Sequence, residues 1–300
     1  MADRMKVRLG VSPIAWSNDD MHDLGGDIPL ERCLGEASTA GYVGVELGHK
    51  FPRDPSLLAP LLGRHGLDLV SGWHSTFFTR EKGHDRERAN FKSHLSFLKA
   101  MGCSVIICAE CNRTRHSTID ALPREQGVPL FTDKEWARLA TRLDEAGRVA
   151  ANAGLKLVYH HHMGTGVEGP GEIDRLMDTT DPDLVHLLGD TGHMLFGGGN
   201  PATLFARYVE RIGHVHLKDI RRDVLEEVKR NRVGFLTSVR MGVFTVPGDG
   251  CIDYGPIIGS LDRSGYDGWL VVEAEQDPAI AEPIAYARKA RGFIREKAGI

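Results

Sequence analysis

Eight short apolar runs alternate along this chain with eight longer amphipathic stretches, and this alternation restricts the possible folds most strongly. The apolar runs predict strands at 6–12, 43–47, 67–73, 104–109, 155–161, 184–189, 212–217 and 269–274. The stretches between them predict helices near 29–40, 55–65, 86–101, 133–153, 170–178, 201–210, 254–264 and 279–297. Strands that alternate with helices pair in parallel, because each helix carries the chain back across the sheet.

Two folds accommodate eight such strands: a closed (β/α)8 barrel and an open, doubly wound sheet. An open dinucleotide-binding sheet carries G-x-G-x-x-G after its first strand, and this chain has no such motif there. Glycines 197–199 follow the sixth strand, but they lack that spacing and the lysine of a phosphate-binding loop. We therefore predict an α/β protein with one domain, residues 1–300, folded as a single (β/α)8 TIM barrel.

One connection is much longer than the others. Residues 219–250 lie between the seventh strand and the helix that follows it, whereas strand–helix loops usually have about 2–6 residues. We predict a long insertion after strand 7. Because it leaves the carboxyl end of a strand, it is a candidate lid or substrate wall.

Composition argues against several classes of partner. A net charge of −4 lacks the basic excess of nucleic-acid-binding proteins. No apolar run reaches the roughly 18 residues of a membrane span, and the first residues do not resemble a signal peptide. We expect a cytoplasmic protein that binds neither nucleic acid nor membrane. The five cysteines are scattered, and the Cys108–Cys111 pair has no second pair to complete a zinc site, so we expect reduced, packed thiols.

Polar side chains collect where the predicted strands end, which is where the chemistry of a (β/α)8 barrel takes place. These ends carry Glu46, His49, Lys50, Glu110, His160, His161, His162, Asp190, His193, His214, His216, Lys218, Asp219, Glu273 and Glu275. One inward group from each of strands five to eight would converge on one point, and mixed Asp, Glu and His ligands suit Mn²⁺, Co²⁺ or Zn²⁺. Each residue alone also has a structural explanation, such as a hydrogen-bonded core histidine or a turn-capping aspartate.

Three segments of the chain resemble the xylose isomerase-like barrel superfamily. They are GDTGH (189–193), GHVHLKD (213–219) and GWLVVEAE (268–275). In that group a Glu after strand five, an Asp after strand six, a His in strand seven and a Glu in strand eight usually hold the metal. These positions fall here on His160, Asp190, His216 and Glu273. His160 is a departure, because the superfamily glutamate at that position commonly serves as one of two acid/base groups. Its absence argues against simple two-base epimerisation.

A narrower resemblance covers nearly the whole chain. The segments VSPIAWSNDD (11–20), GVELGHKFPRDP (44–55), LVYHHHMGTGVE (157–168) and RVGFLTSVRMGVFTVPGDG (232–250) are similar to the inosose dehydratase family. This resemblance implies a metal-dependent hydro-lyase of inositol catabolism that converts 2-keto-myo-inositol to a trihydroxycyclohexane-1,2-dione and water. It also implies Mn²⁺ or Co²⁺ as the metal and glutathione as a further cofactor.

The same resemblance suggests roles for individual side chains. Glu273 would combine metal binding with proton abstraction, and the base is left open among Glu273, His160 and their neighbours. The position of His193 matches one that touches substrate hydroxyls. Further contacts to the substrate or the acid are expected from Lys218, His162, Glu110, Lys50 and Arg222, although a solvated position at the rim explains each of these equally well.

Three other functions stay open at this stage. A keto-sugar or inosose isomerase or epimerase would use the same metal site and a similar small polyol ketone. An endonuclease IV type of repair enzyme would need more metal ligands and a basic DNA groove, which the net charge disfavours. A polyol-binding protein without catalysis would have lost a ligand. The sequence also leaves open whether the chain forms a homo-oligomer.

Overall fold

A closed barrel of eight parallel strands forms the centre of the protein. The computed structural model describes residues 5–115 and 130–300. The barrel strands are β1 (Arg8–Val11), β2 (Gly44–Leu47), β3 (Asp68–Thr76), β4 (Val105–Glu110), β5 (Lys156–His160), β6 (Val185–Asp190), β7 (Ile212–Leu217) and β10 (Trp269–Val272). Neighbours pair in chain order, and β1 closes the barrel against β10. The predicted barrel is confirmed, and the open sheet is wrong.

Helices surround the strands in the described part of the chain. Their bounds are α1 (Leu30–Thr39), α2 (Pro55–Arg64), α3 (His84–Ala100), α4 (Asp133–Ala153), α5 (Pro170–Thr179), α6 (Thr191–Phe196), α7 (Pro201–Tyr208), α8 (Arg222–Asn231), α9 (Phe235–Arg240), α10 (Gly255–Arg263) and α11 (Pro283–Ala298). Local chemistry explains several starts. Thr132 and Glu135 form a reciprocal capping box before α4, and proline occupies the first turn of α2, α5, α7, α10 and α11.

The interior of the barrel is filled in layers, so the site at its carboxyl end has a solid floor. Trp269 and Val271 of β10 pack with Val70 at the amino end. A second apolar layer consists of Val105, Ile107, Val158 and Leu188, with Trp73 packed against it. The next inward position on β10 is Glu273, where the lining becomes polar. Outward residues of the same strands, such as Leu270 and Val272, join the larger core beneath the helices.

The segment between β7 and α10 has structure of its own. Strands β8 (Asp219–Ile220) and β9 (Phe244–Thr245) form a small antiparallel sheet around α8 and α9. The carboxylate of Asp219 accepts backbone N–H groups from Ile220, Gly248 and Ile252, which ties the two ends of the segment together. Its apolar side chains pack against Met21, Leu24 and Met163, which lie outside the segment. The segment therefore forms part of the packed wall above the barrel, and its action as a lid stays a prediction.

Two further findings concern the rest of the chain. The five cysteines are free thiols, and four of them are buried, as expected of small packed side chains. Within residues 5–115 and 130–300, no helix combines the length and the apolar character needed to cross a membrane.

We expect Gly44→Ala to destabilise the barrel. A Cβ at this position would lie 2.5 Å from the Trp269 ring and 2.6 Å from a Val70 methyl. The apolar layer at the amino end of the barrel would therefore have to shift. Overpacking of this kind costs about 1–3 kcal/mol, which thermal unfolding followed by circular dichroism would register as a lower Tm. Gly292→Ala is the matched control, because nothing lies near that position in α11 and its Tm should rise slightly. A Tm for Gly44→Ala equal to that of the unchanged protein would contradict the packing argument.

Candidate functional site

A cavity of about 350 Å³ opens at the carboxyl ends of the barrel strands. Such a volume suits a small ligand. Its walls come from the strand ends and from the loops that follow β1 and β2. They consist of Ser12, Ile14, Asp19, Asp20, Glu46, Leu47, His49, Arg53, Ser71, Gly72, Trp73, Ser75, Ile107, His160, His162, His216, Glu273 and Glu275.

The four residues predicted to bind metal come together. His160, His216 and Glu273 line the floor of this cavity, and Asp190, which does not line it, lies against both histidines. His160 Nε2 lies 3.3 Å from Asp190 Oδ2, and His216 Nδ1 lies 3.5 Å from the same oxygen. Glu273 contacts His216 Nδ1 directly. His160, Asp190 and His216 each offer a ligand atom within 4.8 Å of the others, and Asp190 and Glu273 form a second such group with His193.

The chemistry of this cluster fits a divalent cation. Glu46, Asp190, Glu273 and Glu275 are four buried carboxylates, and the last three face the buried ammonium of Lys218. Because burial of unbalanced negative charge is costly, such a cluster gains from a further positive charge. Two imidazoles and two carboxylates are a ligand set that Mn²⁺, Co²⁺ and Zn²⁺ accept.

Three of the four groups have protonation states that suit ligands. The fourth, His216, would have to lose a proton on cation binding, because the charges of Glu273 and Glu46 outweigh burial and raise its pKa well above the ordinary value. Burial lowers the pKa of His160 to about 4, so its ring is neutral near pH 7 and a lone pair is free to bind. Burial alone would raise the pKa of Asp190, but the charges of Lys218 and His193 hold it well below its ordinary value. For Glu273 the charges of His216 and Lys218 likewise outweigh burial and lower the pKa. Both carboxylates are therefore ionised.

Glu46 on β2 orients the histidine that comes from β7. Its Oε1 accepts hydrogen bonds from His216 Nε2 at 3.1 Å and from His214 Nε2 at 3.0 Å. Ser71 donates a third bond at 2.6 Å. A carboxylate behind a metal-binding histidine fixes the ring and its tautomer. Glu46 was recognised as a strand-end residue, but its bonds to His214 and His216 were not predicted.

Lys218 and His193 lie behind the floor of the cavity and do not line it. Lys218 Nζ donates to His193 Nε2 at 2.8 Å and to Glu275 Oε1 at 2.8 Å, and it lies 2.7 Å from Glu273 Oε1. Burial would lower the pKa of Lys218, but the charges of Glu273, Glu275 and Asp190 raise it. Lys218 is thus a fixed cation that holds two carboxylates in place.

Three further residues that were predicted to contact the substrate also do not line the cavity. Glu110 accepts bonds from Thr76, Phe78 and Thr79 and organises the end of β4. Lys50 Nζ donates to the carbonyls of Gly25, Gly26 and Ile28 and thereby holds the loop after β1 in place. Arg222 is exposed on α8. His162, by contrast, lies on the cavity wall.

The side of the cavity formed by the loops after β1 and β2 carries polar residues that the sequence alone did not single out as site residues. Asp19, Asp20 and Arg53 lie there, together with His49, which had been noted only as a residue after strand two. Loss of hydration, followed by the charges of Glu275 and Asp19, raises the pKa of Asp20 to about 7. These residues lie in the loops past the ends of β1 and β2, and a position in a loop does not show where its side chain points.

The protein is a barrel whose floor of histidines and carboxylates forms a site for a small polar molecule. Comparison with known proteins gives the same fold. A family model described as "Xylose isomerase-like TIM barrel" matches residues 34–297. Two curated relatives named inosose dehydratase are each 48% identical. The one from Clostridium beijerinckii matches over 100% of both chains, and the one from Geobacillus thermodenitrificans over 98% of both. A crystal structure of the IolI protein with a bound zinc atom has a TM-score of 0.72 at 18% identity, covering 98% of this chain and 100% of that one.

The chain belongs to the xylose isomerase-like TIM barrel family and, within it, to the family of the inosose dehydratases. Members of the latter family are hydro-lyases, so the chain is an enzyme of that class. The resemblance inferred from the sequence segments is thereby confirmed.

We expect Asp190→Asn to weaken Mn²⁺ binding more than about 100-fold, because loss of even an outer partner of a metal site costs about 10–100-fold. The amide retains the size of Asp190 and can still accept the bond from the His193 backbone that Oδ1 accepts now. Titration calorimetry of chelator-treated protein measures the affinity directly. Asp262→Asn, an exposed position on α10, is the control and should bind like the unchanged protein. Undiminished Mn²⁺ affinity in Asp190→Asn would refute the assignment.

Proposed function

We propose that this enzyme removes water from 2-keto-myo-inositol and yields a trihydroxycyclohexane-1,2-dione, as a step of inositol catabolism. Relatives that match the whole chain at 48% identity bear the name inosose dehydratase. The observation that carries the proposal is the convergence of His160, Asp190, His216 and Glu273 at the floor of a cavity of about 350 Å³.

The lining of the cavity supports a polyol as substrate. Hydroxyl groups come from Ser12, Ser71 and Ser75, and charged groups come from Asp19, Asp20 and Arg53. A ring that carries a hydroxyl on most of its carbons needs many such partners. Each hydroxyl gives up its hydrogen bonds to water on binding, and the protein has to replace them. Trp73 supplies an apolar surface beside them, and its Nε1 donates to Ser75 at 2.9 Å.

His160, Asp190, His216 and Glu273 would hold Mn²⁺ or Co²⁺, with Zn²⁺ as a further candidate. A divalent ion at this floor would act as a Lewis acid on the ketone and lower the pKa of the neighbouring C–H bond. The protein groups around it have separate tasks. Glu46 orients His216, and Lys218 keeps Glu273 and Glu275 ionised. Because Lys218 and His193 do not line the cavity, we assign them positioning roles in place of contact with the substrate.

Mass spectrometry of 2-keto-myo-inositol incubated with chelator-treated protein, with and without added Mn²⁺ or Co²⁺, tests the proposal. We expect a loss of one water from the substrate that requires both protein and metal. A parallel arm with reduced glutathione tests the cofactor that the family resemblance implies, and we expect it to change the rate without changing the product.

The other outcomes have distinct meanings. A new isomer of unchanged mass would replace the dehydratase with an isomerase or epimerase on the same site. Dehydration at full rate without metal would refute the metal site and leave the reaction in place. No conversion under any condition would refute the proposed substrate.

A further inference from the structure

The carboxylates at the floor of the cavity are bound to positively charged or hydrogen-bonding groups. Glu273 contacts Lys218 and His216, and Glu275 accepts from Lys218. Oε1 of Glu46 accepts three hydrogen bonds, two of them from His214 and His216. His160 faces Asp190. A group that removes a proton from carbon needs an available lone pair within reach of the substrate, and a side chain outside the proposed cation site is better placed to supply one.

That wall contains a histidine–aspartate dyad. His49 Nδ1 donates to Asp19 Oδ1 at 2.6 Å, and the backbone N–H of His49 donates to the same oxygen at 3.0 Å. The ring of His22 stacks on His49 with 4.5 Å between centroids. These three contacts fix the plane of the His49 ring and the tautomer that carries the proton on Nδ1. Such a dyad turns the other nitrogen into a base whose developing charge the carboxylate stabilises.

The second nitrogen of this ring is available. Among residues 5–115 and 130–300, no group forms a hydrogen bond to Nε2 of His49. His49 and Asp19 both line the same cavity as His160, His216 and Glu273. The His49 side chain is 28% exposed, so the substrate can approach it from the cavity.

We infer that His49 is the catalytic base of the dehydration and that Asp19 positions it. This inference rests on the proposed function. His49 lies after β2, whereas the predicted metal ligands come from β5, β6, β7 and the end of β10. The substrate ring would then bind between a proton-transfer wall and a cation-binding floor.

The chemical step balances with this one residue. His49 Nε2 takes the proton from the carbon next to the ketone, and the C–H electron pair forms an enolate. As the ketone reforms, the C–O bond of the next carbon breaks and its hydroxyl leaves with the electron pair. That hydroxide takes the proton from the His49 imidazolium, which gives water and restores the neutral ring. The enol that results tautomerises to the dione, and no oxidant or reductant is needed.

His162 is a competing residue, because it also lines the cavity and its Nδ1 donates to the Met163 carbonyl at 3.0 Å. A neutral carbonyl stabilises an imidazolium less than the carboxylate of Asp19 does. The contact with Asp19 therefore favours His49 over His162 as the residue that takes the proton.

His49→Ala is the decisive variant. We expect kcat to fall about 10²–10⁴-fold, the usual contribution of a positioned acid/base group, while Mn²⁺ affinity stays the same. Exchange of the substrate proton next to the ketone with D₂O, followed by NMR, should be lost to the same extent. Added imidazole should restore part of both rates, which a merely structural role would not allow. Asp19→Asn should lower kcat less than His49→Ala does.

The control is His65→Ala. His65 forms a similar pair with Glu31 at 2.8 Å, but on the protein surface and outside the cavity, so kcat should not change. If the unchanged protein dehydrates the substrate and His49→Ala retains kcat and proton exchange, the inference is wrong and His162 becomes the base. If the unchanged protein does not dehydrate 2-keto-myo-inositol, the proposed function fails first.

Discussion

The ammonium of Lys218 is the interaction on which the arrangement of the site depends. Buried carboxylates cost several kcal/mol each unless a positive partner compensates them, and Lys218 contacts Glu273 and Glu275 from within the barrel wall. Its backbone is held by Thr191, whose hydroxyl bonds to both the N–H and the carbonyl of Lys218. Gly192 leaves room for the lysine stem, because a Cβ there would lie 2.5 Å from Cγ of Lys218. Thr191 and Gly192 of the GDTGH segment thus have a packing role beside Asp190, the proposed ligand in the same segment.

Most of the fold could be predicted from hydrophobic patterning, and the differences have local causes. The helix predicted at 133–153 has these bounds, and Thr132 caps it. The last helix begins at Pro283 and not near 279, because proline fits the first helical turn. Strand β3 continues to Thr76, three residues beyond the predicted end, since it keeps pairing with β4. Patterning cannot detect a strand that continues through polar residues such as His74 and Ser75.

The site was harder to predict from the sequence than the fold, because its contacts join distant parts of the chain. Strand position alone brought together Asp190, His216 and Glu273, since the barrel places successive strand ends side by side. The bond between Glu46 and His216 spans 170 residues and crosses the barrel, so no local pattern encodes it. Lys50 is the reverse case, a residue that the sequence wrongly placed in the site. It follows a strand like a site residue, but its ammonium finds three backbone carbonyls and turns away from the cavity.

The histidine at position 160 connects the floor of the cavity to its opposite wall. A glutamate at this position would bring a second ionised carboxylate next to Asp190 and a base at the floor. His160 is neutral near pH 7, since burial holds its pKa at about 4, and it contributes a ligand without adding negative charge. A weakly basic imidazole that faces a cation has little capacity to take a proton from carbon. Under the proposed function, proton transfer would then fall to a residue outside β5, and the Asp19–His49 pair is where the cavity offers an oriented imidazole with a free nitrogen. Such an arrangement would suit elimination by a single base better than epimerisation by two.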